Sequence, residues 1–122
     1  MITPLFLFSQ IDIFGEMKDC IFCKIVKKEL QVGIEMETET LLAFKDINPK
    51  APVHILIIPK KHIQDITEAD DGVWDEIGRV AKEIAREKNL GGFRLVHNAG
   101  EAAAIPHMHV HLLAEVSAKR EV

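Results

Sequence analysis

The sequence predicts one α+β domain with about five β-strands, one long helix and one or two short ones. Three observations carry that expectation. VHILIIP, from Val53 to Pro59, is a continuous β-branched run of the kind buried on both faces of a sheet. Between Asp70 and Lys88, apolar residues recur at Val73, Ile77, Val80, Ala81, Ile84 and Ala85, the spacing of one helix face. MHVHLLA, from Met108 to Ala114, alternates apolar residues with histidine at the period of a strand. The size agrees, since 122 residues of which 48% are hydrophobic suffice for a single core.

Taken in order, residues 1–16 differ in texture from the rest of the chain, and Met17 opens MKDCIFCKI, which would itself serve as a start. The expectation is a domain over 17–122. It is preceded by an extension over 1–16 that is peripheral or an artefact of start-site choice, with an edge strand or an arm on a partner subunit as the alternative. CIFCKIVKKEL, Cys20 to Leu30, sets Ile21, Ile25 and Val26 at helical spacing with lysines opposite, which predicts a short amphipathic helix closed by Gly33. Gly33 to Glu37 and Thr40 to Phe44 read as a hairpin around a polar turn. Asp46, Asn48, Pro49 and Pro52 form a loop, the central strand comes next and stops at Pro59, and Lys60, Lys61 and His62 lie in the next loop. The long helix opens on acidic residues and closes on Lys88 with Gly91 beyond, as the helix dipole favours. FRLVH, Phe93 to His97, and the histidine run complete the strands.

Composition narrows the function classes. A net charge of −4 gives no global attraction to DNA, RNA or an anionic membrane face, because polyanion binding rests on clustered Lys and Arg. Two cysteines, Cys20 and Cys23, do not make a secreted disulfide framework, so a reducing, cytoplasmic compartment is expected. The apolar patch Leu5 to Phe8 lacks the basic flank and cleavage site of an export signal and is far shorter than a membrane span, so no membrane partner is expected.

His107, His109 and His111 share one strand face, with Met108, Val110 and Leu112 pointing to the core. Three histidines are an odd choice for a merely solvated face. They come after GEAAAIP, a nearly side-chain-free approach that lets a ligand come close to backbone N–H groups. Alternate strand residues lie about 6.6 Å apart and the outer pair about 13 Å apart, so one metal is not easily shared by all three. Distinct roles are the consequence. A neutral imidazole attacks phosphorus when its other nitrogen is held by an acceptor, and its neighbours, as donors, stabilise the charge that develops on phosphoryl oxygens. Cys20-x-x-Cys23 alone reads as a redox pair, a zinc half-site or two unrelated buried thiols. His62 and His97 read as ordinary loop and strand-end residues.

HMHVHLL, His107 to Leu113, fits the His-φ-His-φ-His-φ-φ signature (φ hydrophobic) of the histidine-triad (HIT) superfamily. CIFCKIVKKEL, LLAFKDINPKAPVHILIIPKKHI and GGFRLVHNAGE also resemble its histidine-triad nucleotide-binding (HINT) branch, in similar order and spacing from Asp19 to Ala114. The resemblance implies a five-stranded antiparallel sheet with helices, paired as a homodimer. It implies a nucleotide phosphoramidase or hydrolase that cleaves at the α-phosphorus of purine mononucleotide conjugates through a nucleotidyl-histidine. By residue matching, His109 is the nucleophile, His111 contacts the phosphate and assists the leaving group, and Asn98 lies on the phosphate or leaving-group side. Phe22, Leu30, Phe44, Asp46 and Ile47 match positions that hold base and ribose; the apolar four also read as plain core residues. A structural zinc is implied at Cys20, Cys23, His54 and His107, with no organic cofactor.

The sequence departs from the family pattern in the loop before the triad. Ala102, Ala103 and Ala104 fall where Gly-Gln-Ser/Thr is common, and the loop from Asn98 to His107 is about two residues shorter. Two phosphate-contacting side chains are thereby absent, which leaves a nucleotide-binding or scaffolding protein with weak catalysis as one alternative and a metal-binding module as another. The glycine pair that often comes after the triad is replaced by Ala114 and Glu115.

Overall fold

The structure, a computed structural model, describes residues 19–119. The expected extension over 1–16 lies outside them. Helix α1 spans Ile21–Val26. Strands β1 (Ile34–Glu37), β2 (Leu41–Lys45) and β3 (Val53–Pro59) lead to helix α2 (Asp71–Glu87), and the chain continues through β4 (Phe93–His97), a 3-10 turn at Gly100–Ala102 and β5 (Val110–Ala114). The strands form one antiparallel sheet in the order β1-β2-β3-β5-β4. The α+β expectation with five strands is met among the described residues.

β3 is central and buried on both faces, which explains its unbroken β-branched run. Ile55 and Ile57 join Leu41, Ala43, Val110 and Leu112 under α2, whose Ile77, Val80, Ala81 and Ile84 cover that face. Leu56 and Ile58 point the other way, to Leu42, Phe44 and the α1 residues Phe22 and Ile25. α2 covers its face along a full-length helix, but α1 is short and leaves part of the opposite face open.

Helix α1 ends earlier than expected, whereas α2 closes at Lys88 as expected. α1 stops well before Leu30, because Lys28 adopts a left-handed conformation (φ 65°) while Glu29 N–H bonds the Lys24 carbonyl and Lys28 N–H the Ile25 carbonyl. α2 ends in the same double closure, with Asn89 at φ 52°, Leu90 N–H on Ala85 and Asn89 N–H on Arg86. Lys28, rather than Gly33, stops α1, and Asn89 completes the closure of α2 just past Lys88. At its start α2 is capped by Asp70, whose Oδ1 accepts Val73 N–H at 3.0 Å.

Candidate active site and metal centre

The hydrogen-bonded ladder of β5 begins only at Val110, so His107 and His109 stand on the extended lead-in and His111 within the sheet. The alternation persists through both. Met108, Val110 and Leu112 enter the α2 core, while the imidazoles face the α1 side. They are no solvated face: His107 is 0% and His109 5% exposed. Such burial demands a partner for each ring nitrogen that cannot reach water.

His107 donates Nε2–H to the Pro59 carbonyl at 2.8 Å, which leaves the Nδ1 lone pair directed at Cys20 Sγ (3.4 Å) and Cys23 Sγ (3.6 Å). His62 Nδ1 lies 3.3 Å from Cys23 Sγ. These four ligand atoms all lie within 4.8 Å of one another. The donor set fits a metal: two thiols and two imidazoles, one with its second nitrogen anchored on a carbonyl, as metal-bound histidines usually are. Burial, opposed only by the Pro59 carbonyl, pushes His107 down to about 4, so the ring is neutral as a ligand must be.

His54, expected in this cluster, is elsewhere. Its β3 parity puts it on the same sheet face, but the antiparallel register pairs it with Leu113, and extending that register sets His107 opposite Lys60. Six strand positions, roughly 20 Å, separate the two. His62, assigned no role from sequence, stands where His54 was expected, because the chain past Pro59 bends back beside α1. His54 instead belongs to a second cluster with Asp46 and His111. Its Nε2 lies 2.9 Å from His111 Nδ1 and 3.4 Å from Asp46 Oδ2, and its Nδ1 accepts Lys50 N–H at 2.9 Å.

His109 donates Nδ1–H to the His107 carbonyl at 2.8 Å. Its Nε2 is therefore the lone-pair nitrogen. Burial lowers its pKa and keeps the ring neutral. The ring packs edge-on against Phe22, with centroids 5.1 Å apart, and lines a hollow of about 420 Å³. That volume lies within the range of about 300–1,000 Å³ usual for small-molecule sites. Phe22, Phe44, Asp46, Ile47, Asn98 and His111 also line it. Leu30 does not. The early stop of α1 leaves it 40% exposed outside the hollow, and Ile21, Ile25 and Val32, which no sequence motif singled out for this role, supply that wall.

The shortened loop contributes Ala102, Ala104 and Ile105 to the hollow. Asp65, buried midway along the β3–α2 connection, holds this loop by accepting Gly100 N–H at 2.9 Å. His97 also has work: its Nε2 accepts Ile66 N–H at 3.1 Å and its Nδ1 donates to the His109 carbonyl at 3.0 Å. It braces the backbone of the candidate nucleophile. Nothing in the sequence flagged His97, because its partners are backbone groups far along the chain.

The profile of the family described as "Scavenger mRNA decapping enzyme C-term binding" matches residues 19–121. An uncharacterised HIT-like protein of Synechocystis sp. is 40% identical over 102 residues, which cover 79% of this chain and 90% of that protein. The chain belongs to the HIT superfamily. A second uncharacterised HIT-like protein, from Methanocaldococcus jannaschii, is 38% identical over 108 residues, 84% of either chain. Among solved structures, a histidine triad protein from Clostridium difficile superposes with a TM-score of 0.81 at 37% identity, over 88% of this chain and 99% of that one. A HIT family hydrolase from Clostridium thermocellum gives 0.80 at 39%, with the same coverage. The sheet order and the helix positions of this chain are thus those of a HIT fold. Among the described residues, no helix is long and apolar enough to cross a membrane.

Proposed function

We propose that this HIT protein is a nucleotide hydrolase of phosphoramidase type, cleaving at the α-phosphorus of purine mononucleotide conjugates. The observation that carries the reading is the state of His109: Nδ1–H is held by a carbonyl, and the Nε2 lone pair lies on the wall of an apolar hollow. That is the arrangement a phosphorus-directed nucleophile needs. In the first step a bond forms between Nε2 and phosphorus, and the bond from phosphorus to the amine or oxygen leaving group breaks as that group takes up a proton. In the second, water oxygen bonds to phosphorus, the bond to Nε2 breaks and the water proton is released. Phe22, Phe44 and Ile47 offer an apolar slot for a base, and Asp46 keeps lone pairs for ribose hydroxyls beyond its bond to Asn48 N–H. Asn98 and His111 stand on the same hollow for the phosphate and leaving group.

Cys20, Cys23, His62 and His107 would hold a zinc ion, a closed site of four protein ligands whose contribution is structural. A homodimer is supported by the edge strand β4 with its exposed Phe93 and Leu95, and by the exposed Trp74 on α2. A cytoplasmic setting suits two cysteines that form no disulfide. The reading as a binding protein with weak catalysis is favoured by one observation, the alanines Ala102 and Ala104 on the hollow's wall.

The test is release of a fluorogenic amine from an adenosine phosphoramidate. Wild type turns over and His109→Ala does not, while mononucleotide binding survives in the variant. A nucleotidyl adduct trapped on His109 by acid quench supports the intermediate. Equal turnover by His109→Ala refutes the nucleophile, and micromolar binding without turnover of any conjugate favours the binding protein.

A further inference from the structure

We propose that His97 is a positioning residue for the candidate nucleophile: from the far side of the sheet its Nδ1–H fixes the main chain of His109, in a tautomer that Ile66 N–H imposes. The tautomer stands on hydrogen bonds of the protein alone. Its catalytic meaning rests on the function proposed above.

The need for such a residue comes from where β5 begins. Both its neighbours, β3 and β4, pair with it only as far as Val110, so the nucleophile lies one residue outside the ladder. A side chain aimed at a reacting atom must be held to within about 0.5 Å, and a main chain without ladder partners does not supply that by itself. The connection after β3 takes over. The Ile63 carbonyl accepts Met108 N–H at 2.6 Å, Asp65 accepts Gly100 N–H at 2.9 Å, and Ile66 N–H meets His97 Nε2 at 3.1 Å. One short segment thus holds the lead-in to β5, the shortened loop and His97. The third contact is passed on to the nucleophile, because His97 Nδ1 lies 3.0 Å from the His109 carbonyl. With the His109 ring anchored on the His107 carbonyl, ring and main chain of the nucleophile are each fixed by one hydrogen bond.

Two independent contacts assign the same tautomer to His97. An amide donor requires a lone pair on Nε2, and a carbonyl acceptor requires a hydrogen on Nδ1. Neutral imidazole meets both demands with its single hydrogen. The opposite tautomer would set Nε2–H against Ile66 N–H and a lone pair against the His109 carbonyl, so both ties would be lost together. His97 also stands apart from the binding surface. Its register opposite Val110 places it on the α2 side of the sheet, where its ring lies 6.0 Å from that of Trp74, and it is not among the residues that line the hollow. Its loss should therefore slow attack on phosphorus and leave nucleotide affinity in place.

The experiment combines a long-range proton–nitrogen correlation spectrum and the His109 carbonyl carbon shift of isotope-labelled, zinc-loaded protein at pH 7 with kinetics on the adenosine phosphoramidate. In wild type, His97 is expected to show a protonated, pyrrole-like Nδ1 and an unprotonated, pyridine-like Nε2. In His97→Leu the His109 carbonyl shift moves and kcat falls about tenfold, the equivalent of one hydrogen bond, with KM and mononucleotide affinity unchanged. His97→Asn sets an amide donor where Nδ1 was and restores the carbonyl shift and most of the rate. His97→Gln sets its amide where Nε2 was, keeps an acceptor for Ile66, and restores neither. The contrast between Asn and Gln decides the matter even if His97→Leu does not fold, and equal rates in those two variants overturn the proposal. So does a wild-type His97 with its hydrogen on Nε2, or a His97→Leu protein with unchanged carbonyl shift and kcat. Absence of turnover in wild type counts against the proposed function alone, since the nitrogen and carbonyl shifts still decide whether His97 holds His109.

Discussion

The metal centre permits a sharp test, because sequence and structure nominate different histidines for it. In tetrahedral zinc, bonds of about 2.3 Å to sulfur and 2.0–2.1 Å to nitrogen set sulfur–nitrogen edges of roughly 3.6 Å. Here the corresponding separations are 3.3 Å from His62 to Cys23, 3.4 Å from His107 to Cys20 and 3.6 Å from His107 to Cys23. One zinc per chain is expected, bound with His62 and without His54. Metal analysis of the purified protein should show that content in wild type and in His54→Leu, and its loss in His62→Ala and Cys23→Ser. The ion would join α1, the loop after β3 and the lead-in to β5. A six-residue helix has little stability of its own, so these joints matter. At a free metal level about a thousand times the dissociation constant, binding stabilises the fold by about 4 kcal/mol, which lowers the melting temperature by about 15 °C on chelation. Circular dichroism melts with and without a strong chelator measure this. A melting temperature indifferent to chelation, or zinc lost in His54→Leu and kept in His62→Ala, refutes the assignment.

Three further outcomes are expected from the geometry. Burial first, and then the neighbouring His109 and His54, hold His111 down to about 4 from 6.5, so the unfolded chain takes up a proton before the folded one. Stability is therefore full above about pH 6.5 and falls as pH drops from there toward 4, read as a declining urea midpoint. Phe22→Ala removes a buried ring that meets Phe44 at 5.9 Å and His109 at 5.1 Å. Because the ring borders an open hollow, the cost should sit near the low end for a buried phenylalanine, about 3 kcal/mol by denaturation, with weaker mononucleotide binding by calorimetry. Glu115 holds φ 59° just past β5, where a side chain is disfavoured, so Glu115→Gly should raise stability by about 0.5–1 kcal/mol in the same denaturation assay.

Much of this was legible in the residues. The run from Val53 to Pro59 declared a central strand because both its faces are apolar, and the alternation through His107, His109 and His111 declared a shared face because strand parity is local information. Register is not local. Parity placed His54 on the correct face, but its distance from His107 depends on how β3 and β5 slide past each other, which residues fifty positions apart decide together. His62 was hidden for the same reason, since only the bend after Pro59 brings it to the cysteines. Leu30 failed on a smaller scale: a lysine in the left-handed region ended α1 where composition suggested a longer helix. Ala102 and Ala104 could be read as missing side chains, but not that Ile105 would turn toward the hollow beside them.

The strand that carries the histidines also supplies Met108, Val110 and Leu112 to the main core, residue by residue in alternation. A slip of one position would bury the imidazoles under α2 and expose those three side chains in the hollow. Assembly of the chemistry and closure of the core are consequently a single cooperative event. Titrated with denaturant, a probe of the imidazoles and a probe of the α2 interior should lose their signals on one shared curve, and a folding intermediate with a formed core and an unformed site has no place on the path.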